Sequence, residues 1–261
     1  MTRHATFAVS DISKKAMVLA TDLDGTFLGG SADERKGLYD WIEQHRRAIG
    51  LIFVTGRDPG FIHDLVRSQG VPQPDYVIGD VGTTIAVMDD KQHVTPIQTL
   101  EEHIADAWAD AGPQAQFVLN GMPGLTLQST LFRYRLSYDM DPARFDPAAV
   151  DKIEALGLDA IISDNRFFDV LPKGVSKGPS LLRLMDHLGI AKERVLVAGD
   201  TLNDLSMLET GLPAVAVGGS EPALIAAVTG IDTVYAADAE GAAGIAEAIL
   251  HHKLFRTPEG A

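Results

Sequence analysis

Cysteine is absent from this 261-residue sequence, which excludes disulfides, thiolate metal sites and a cysteine nucleophile. Its absence fits a reducing compartment, and the chain is expected to be cytoplasmic. Long apolar runs are also absent. A membrane helix needs roughly 18 uninterrupted apolar residues, and no segment approaches that. The first apolar run, Ala16 to Ala20, is too short for a signal-peptide core and is followed at once by acid. Positive charge is scarce: 22 Lys and Arg face 36 Asp and Glu, a net charge of −14. Such a chain repels phosphate backbones and anionic bilayers, so neither nucleic acid nor membrane is an expected partner. There is no internal repeat and no low-complexity tract. Apolar residues, 46% of the chain, run throughout and supply a core for one large domain or two modest ones. The ends, before about Ala16 and after about Phe255, are expected to be mobile.

The first part reads as alternating strands and helices. Met17-Val18-Leu19-Ala20 is a short apolar run stopped by Thr21-Asp22-Leu23-Asp24-Gly25-Thr26, the pattern of a buried parallel strand. Ser31 to Arg47 has helical spacing, with Ser31 as its N-cap. The strand Leu51-Ile52-Phe53-Val54 ends at Thr55-Gly56-Arg57, and Phe61 to Arg67 (helix) and Tyr76-Val77-Ile78 (strand) follow. The last third repeats the pattern, with a helix at Ser180 to Leu188, strands at Val195–Ala198 and Ala214–Val217, and a helix near Ala242 to Leu250. The middle changes character. Thr130 to Leu136 alternates like a half-exposed strand, Glu101 to Ala109 and Pro147 to Leu156 look helical, and two strands flank a turn at Asp164-Asn165. The expected fold is α/β, a Rossmann-like parallel-sheet core with an inserted smaller α+β cap domain. The core is expected over residues 1–81 and 171–261, and the cap over 82–170.

Four segments abut the carboxyl ends of buried-strand candidates, where open α/β sheets carry their sites. Asp22-Leu23-Asp24-Gly25-Thr26 puts two carboxylates at i and i+2, with Gly25 permitting a turn that other residues resist. Thr55-Gly56 offers a hydroxyl and a free N–H at a helix entrance, an anion site or simply a helix cap. Lys177, in Lys173-Gly174-Val175-Ser176-Lys177-Gly178, stands at a helix start, against the macrodipole preference. Either it faces an anion or it is a solvated surface lysine. Gly199-Asp200-Thr201-Leu202-Asn203-Asp204 adds carboxylates at i and i+4, and singly these could be helix-capping residues.

Taken together and in this order, the four segments resemble the motifs of the haloacid dehalogenase superfamily of phosphohydrolases, and the insertion between the second and third resembles its C2-type cap. The resemblance covers about Ala16 to Asp80 and Leu171 to Leu250. It implies that Asp22 is a nucleophile forming an aspartyl-phosphate and that Asp24 is the general acid, then base. It implies that Thr55, Gly56, Lys177 and Asn203 hold phosphate. Mg²⁺ is implied on the Asp22 carboxylate, the Asp24 carbonyl and Asp200, with Asp204 supporting. A charge count points the same way. Four ionised aspartates with Lys177 leave −3, which repels a dianionic phosphate, and one divalent cation with a protonated Asp24 brings the site to neutral.

Asp22 to Gly30, Val81-Gly82-Thr83-Thr84-Ile85, Leu171-Pro172 and Lys177-Gly178 further resemble the sucrose-phosphate phosphatase branch, which includes phosphatases for mannosylfructose phosphate. Thr84 departs from that branch, which often carries an acid there. The expected substrate is a disaccharide phosphate. The alternatives are a broad-specificity C2-capped phosphatase for hexose phosphates or other small esters, a phosphomutase, and a phosphosugar-binding module without turnover. Asn120, Gln128, Arg133, Arg135, Asn165 and Arg166 are the cap candidates for sugar hydroxyls. Arg133 and Arg135 share one face of their expected strand, there to steer an anionic ester or to pair with Asp139 or Asp141. Phe167 and Phe168 are expected to pack. Hinges are expected near Gly82 and Leu171-Pro172. The molecule is expected to be a monomer or small homo-oligomer.

Overall fold

The computed structural model describes residues 11–68 and 70–255, so the expectations for the chain ends that fall on residues 1–10 and 256–261 lie outside the described residues. In chain order the elements are β1 (Met17–Thr21), α1 (Ala32–Gln44), β2 (Ile49–Val54), α2 (Pro59–Ser68), β3 (Tyr76–Gly79), β4 (Thr84–Met88) and β5 (Val94–Pro96). Next come α3 (Gln98–Trp108), α4 (Gly112–Leu119), β6 (Leu125–Leu127), β7 (Leu136–Met140), α5 (Ala148–Glu154), β8 (Leu158–Ser163) and β9 (Phe167–Pro172). The chain closes with α6 (Lys177–Leu188), β10 (Val195–Gly199), α7 (Leu205–Leu208), β11 (Ala214–Gly218), α8 (Pro222–Val228), β12 (Val234–Glu240) and α9 (Gly241–His251).

The larger sheet has eight strands in the order β12-β11-β10-β1-β2-β3-β4-β5. The run from β12 to β3 is parallel; β4 and β5 join antiparallel at one edge. The apolar run of β1 is buried on both faces. Val18 and Ala20 enter one core cluster, Met17 and Leu19 the opposite one, as a two-residue period requires. The expected N-cap at Ser31 forms a full capping box, with Ser31 Oγ accepting from Glu34 N–H and Ser31 N–H donating to Glu34 Oε2 at 2.7 Å. Strand order reverses at β1, with β2 on one side and β10 on the other. This switch point opens a crevice at the strands' carboxyl ends.

The smaller sheet is antiparallel, β6-β7-β9-β8. Tyr138, Phe168 and Val170 pack on one of its faces with Ala115, Leu119, Ala149 and Ile153 of α4 and α5. Ser137, Phe167 and Asp169, at alternate positions, line a cavity against the larger sheet.

The expected core–cap division at residue 82 falls inside the larger sheet, because Ile78 pairs with Ile85 and Val87 with Thr95. Helix α3 straddles the join, with Leu100 and Ile104 in a core cluster and Trp108 in the cap cluster. We therefore propose that the cap begins within α3. Gly82, near which a hinge was expected, is wedged against the start of α6, where an added Cβ would lie 2.3 Å from the carbonyl carbon of Ser176. Finally, the alternating stretch Thr130 to Arg135 is irregular, and the strand begins only at Leu136. Its Arg133 and Arg135 are held by partners far away in sequence, which alternation cannot reveal.

Candidate active site

Asp22 follows β1 directly, and its N–H donates to the Ala198 carbonyl at 2.9 Å, which ties the ends of β1 and β10 together. The next residues form a wide turn in which the N–H groups of Phe27 and Leu28 reach back five residues to the carbonyls of Asp22 and Leu23. The turn depends on Gly25. Its φ is +80°, and a Cβ there would lie 2.1 Å from Asp200 Oδ2. The turn therefore sets Asp22 and Asp24 beside the loop after β10.

Lys177, the first residue of α6, is fully buried. Its ammonium donates to Asp22 Oδ1 at 2.7 Å, to Asn203 Oδ1 at 2.6 Å and to Asp204 Oδ1 at 2.6 Å, one acceptor for each N–H. It is not a solvated lysine. Asp204 is equally buried; its Oδ2 accepts from the backbone N–H groups of Asp200 and Thr201, both at 3.0 Å. It shapes the loop that carries Asp200. Asp200 Oδ1 accepts from Thr26 Oγ1 at 2.7 Å.

Carboxylate oxygens of Asp22, Asp200 and Asp204 come within 4.8 Å of one another. Burial, reinforced by the neighbouring Asp204 charge, pushes the Asp200 carboxyl up to about 7. Burial also raises Asp22 well above the ordinary carboxylate range, against the pull of Lys177. Lys177 is raised as well: burial works against its charged form, but the Asp204 and Asp22 carboxylates beside it more than offset that cost. Among the described residues, Asp22 Oδ2 and Asp200 Oδ2 accept no hydrogen bond. Hard oxygen donors, crowded negative charge and two open lone-pair positions fit a divalent cation.

Thr55 directly follows β2 and is buried; its Oγ1 accepts from Arg57 N–H at 3.1 Å, which leaves the hydroxyl hydrogen to donate. Asp24 lies half-exposed, gripped by Arg57 through Nε at 2.8 Å and Nη2 at 3.1 Å. Arg57 stacks over Phe61, 4.7 Å from the ring centroid. In the sequence Arg57 stands out only within the string Thr55-Gly56-Arg57. Its cation changes the charge count, because four carboxylates now face two positive groups, Lys177 and Arg57.

Above this floor lies a cavity of about 630 Å³ between the two sheets. Asp22, Asp24, Gly56, Arg57, Asp200 and Asn203 line one side and cap residues the other. Of the cap candidates, Gln128, Arg135 and Arg166 line it; Asn120, Arg133 and Asn165 are not among the lining residues. Arg133 pairs with Glu101 and donates to Thr84 Oγ1 at 3.1 Å, and Thr84 donates to Asp80 Oδ2 at 2.6 Å. Arg135 is buried. It donates to Asp169 Oδ1 at 3.2 Å and to the Gly56 carbonyl at 3.0 Å, and it stacks 3.6 Å over Phe132. Neither arginine pairs with Asp139 or Asp141, the partners considered from sequence. Both instead tie the cap to the larger sheet, and Arg135 grips the loop after β2. Phe168 packs in the cap as expected, whereas Phe167 faces the cavity. Asp169 had a legible signal, an acid inside the apolar run Phe167-Phe168-Asp169-Val170. Asp80 had a weaker one, and Phe132 none.

No helix among the described residues is long and apolar enough to cross a membrane. The sequence pattern of the sucrose-6F-phosphate phosphohydrolase family matches residues 15–253. The glucosylglycerol-phosphate synthase of Pseudomonas anguilliseptica is 41% identical over 236 residues; the match takes in 90% of this chain but 30% of that protein's length. The mannosylfructose-phosphate phosphatase of Agrobacterium fabrum is 30% identical over 91% of this chain and 97% of its own. Among solved structures, the sucrose-phosphatase of Synechocystis in complex with sucrose and phosphate superposes with a TM-score of 0.84 at 26% identity, over 92% of this chain and 98% of that one.

Proposed function

Because this chain belongs to the sucrose-6F-phosphate phosphohydrolase family, we propose that it is a Mg²⁺-dependent phosphatase of a sugar phosphate, with a sucrose-phosphate-like disaccharide phosphate as substrate. The observation that carries this reading is the cluster of Asp22, Asp200 and Asp204 around buried Lys177, at the floor of the cavity between the two sheets. The cavity volume of about 630 Å³ suits a small polar ligand.

In this mechanism an oxygen of Asp22 attacks phosphorus, the bond to the sugar oxygen breaks, and an aspartyl-phosphate forms. Asp24 protonates the departing sugar oxygen, then takes a proton from the water that hydrolyses the intermediate. Arg57 holds the Asp24 carboxylate at the cavity edge and offers its own cation to the incoming phosphate. Thr55, Gly56 and Asn203 supply hydrogen bonds to phosphate oxygens. Lys177 offsets the carboxylate charge from beneath. Asp22, Asp200 and the Asp24 carbonyl would hold Mg²⁺, with Asp204 ordering their loop. The bound cation would neutralise the phosphoryl oxygens as charge shifts.

A second reading takes glucosylglycerol phosphate as substrate, since the 41% identical relative is named for its synthesis. Comparing kcat/KM over disaccharide phosphates, glucosylglycerol phosphate, hexose phosphates and nucleotides separates the two. A preference of about 100-fold or more for the disaccharide ester, two pK-sized steps of differential binding, supports the first reading. Flat, weak rates over hexose phosphates would demote the protein to a generalist.

Two further outcomes are expected. Gly25→Ala forces Asp200 aside and should cost roughly 100-fold in kcat, the scale of an ångström misplacement, as read by steady-state phosphate release; a rate within a factor of two of wild type contradicts the packing described. The second concerns pH. Asp200 titrates at about 7 in the folded protein, above the ordinary 3.8. Between those values the folded state binds the extra proton, so metal-free stability falls as pH rises toward 7 and levels off beyond it. Melting in chelator should show that decline, and Asp200→Asn should make it shallower, leaving the part that Asp22 contributes. At pH 8, Mg²⁺ at about 100 times its Kd adds about 2.7 kcal/mol, or roughly 5–10 °C for a chain of this size. Identical melting with and without Mg²⁺ would rule out the site.

A further inference from the structure

Glu221 occupies the N-cap position of α8, just before Pro222, yet its carboxylate does not cap that helix. Its two oxygens serve two different parts of the molecule. Oε2 accepts from the Leu202 N–H at 2.7 Å, inside the loop that runs from Asp200 to Asp204. Oε1 accepts from the Asp164 N–H at 3.1 Å, in the turn between β8 and β9 of the cap. The backbone N–H of Glu221 donates to the Asp200 carbonyl at 2.8 Å. One residue thus holds the loop of the metal-binding carboxylates by two bonds and the cap by a third.

The cap contact is built for release. Asp164 and Asn165 take left-handed backbone conformations, with φ of 54° and 47°, which these residue types tolerate in a tight turn. The side chains of Asp164 and Glu221 are both acidic, so their charges oppose the approach that the single N–H favours. Asp164 lines the cavity together with Asp200, Thr201 and Asn203, so the turn and the loop border the same substrate space.

We propose that Glu221 is a positioning residue that couples closure of the cap to the order of the metal-binding loop. The proposal rests on the reading that the loop from Asp200 to Asp204 holds a divalent cation. With the cap shut, the Asp164 N–H fixes one end of the carboxylate, and the other end steadies Leu202. With the cap open, the carboxylate is held from the loop side alone. Coupling of this kind is reciprocal: if closure favours the metal, the metal favours closure by the same factor.

Hydrogen exchange on the full chain, with and without Mg²⁺, tests this. In the wild type, Mg²⁺ should slow exchange several-fold in residues 200–204 and also in residues 163–166. Glu221→Gln keeps the size but has one acceptor oxygen and turns an NH₂ toward one of the two N–H groups. In that variant the protection of 200–204 should persist, that of 163–166 should vanish, and half-saturation by Mg²⁺ should rise at least about 5-fold, the lower end of ordinary coupling. Asp164→Gly keeps the N–H and removes the opposing charge, so its hairpin protection should equal or exceed that of the wild type. Protection of 200–204 without any change at 163–166 in the wild type overturns the coupling and leaves the metal reading standing. Unchanged hairpin protection in Glu221→Gln also overturns it. Absence of protection in both segments of the wild type overturns the coupling and the metal reading together.

Discussion

Asp22→Asn lowers kcat by about 10⁴-fold or more, the scale seen when a nucleophile is removed from an otherwise intact site. The substitution keeps the shape and one oxygen to accept from Lys177, so the loss isolates the attacking carboxylate. Asp22 is held from three sides: its N–H is bonded to the Ala198 carbonyl, its Oδ1 to Lys177, and the Gly25 turn follows it. The fold should not suffer. Burial raises the Asp22 carboxyl above its ordinary range, so its ionised form destabilises the metal-free protein at neutral pH. Melting in chelator should therefore occur at or above the wild-type temperature. Pure variant within 10-fold of wild-type turnover would remove Asp22 from the proposed chemistry.

Lys177→Met has the largest expected effect on stability. The ammonium is fully buried and donates to Asp22, Asn203 and Asp204. Removing one partner of a buried ion pair typically costs about 3–5 kcal/mol, because the carboxylates left behind are neither solvated nor compensated. For a chain of this size that is roughly 6–20 °C in melting temperature. Mg²⁺ should restore part of it by supplying charge to Asp22, and turnover should stay low even at saturating metal. Lys177→Arg is no remedy, since three acceptors within 2.7 Å surround one nitrogen and a planar guanidinium is too large for that place. A melting temperature within two or three degrees of wild type would mean that the network is an ordinary surface cluster.

Much of this was legible in the sequence because strand ends and chemistry coincide. The buried run before Asp22 and the one before Gly199 announce adjacent parallel strands, and Asp22 and Asp200 do meet where β1 and β10 end. Lys177 was legible as a helix-start cation without an excuse, and its excuse is three acceptors. What was not legible depends on tertiary contact. Strands β4 and β5 join the larger sheet by antiparallel pairing, which no local pattern separates from a cap strand. The alternation from Thr130 to Arg135 mimics a strand, but Arg133 and Arg135 are held by Glu101, Thr84, Asp169 and the Gly56 carbonyl. Arg57 and Glu221 act through partners 33 and 57 residues away. A charged residue at such range carries no period and no motif.

Phosphorus is expected to pass through Asp22. The most direct measurement is acid quenching of the enzyme during turnover of its preferred sugar phosphate, followed by mass spectrometry of the peptide carrying Asp22. One phosphoryl group is expected on Asp22, formed only with Mg²⁺ and absent from Asp22→Asn. Asp24→Asn should slow both its formation and its hydrolysis, since Asp24 is acid to the departing sugar oxygen and base to the water. Full turnover with the phosphoryl group on another residue, or with none on Asp22 in either the wild type or Asp24→Asn, would contradict it.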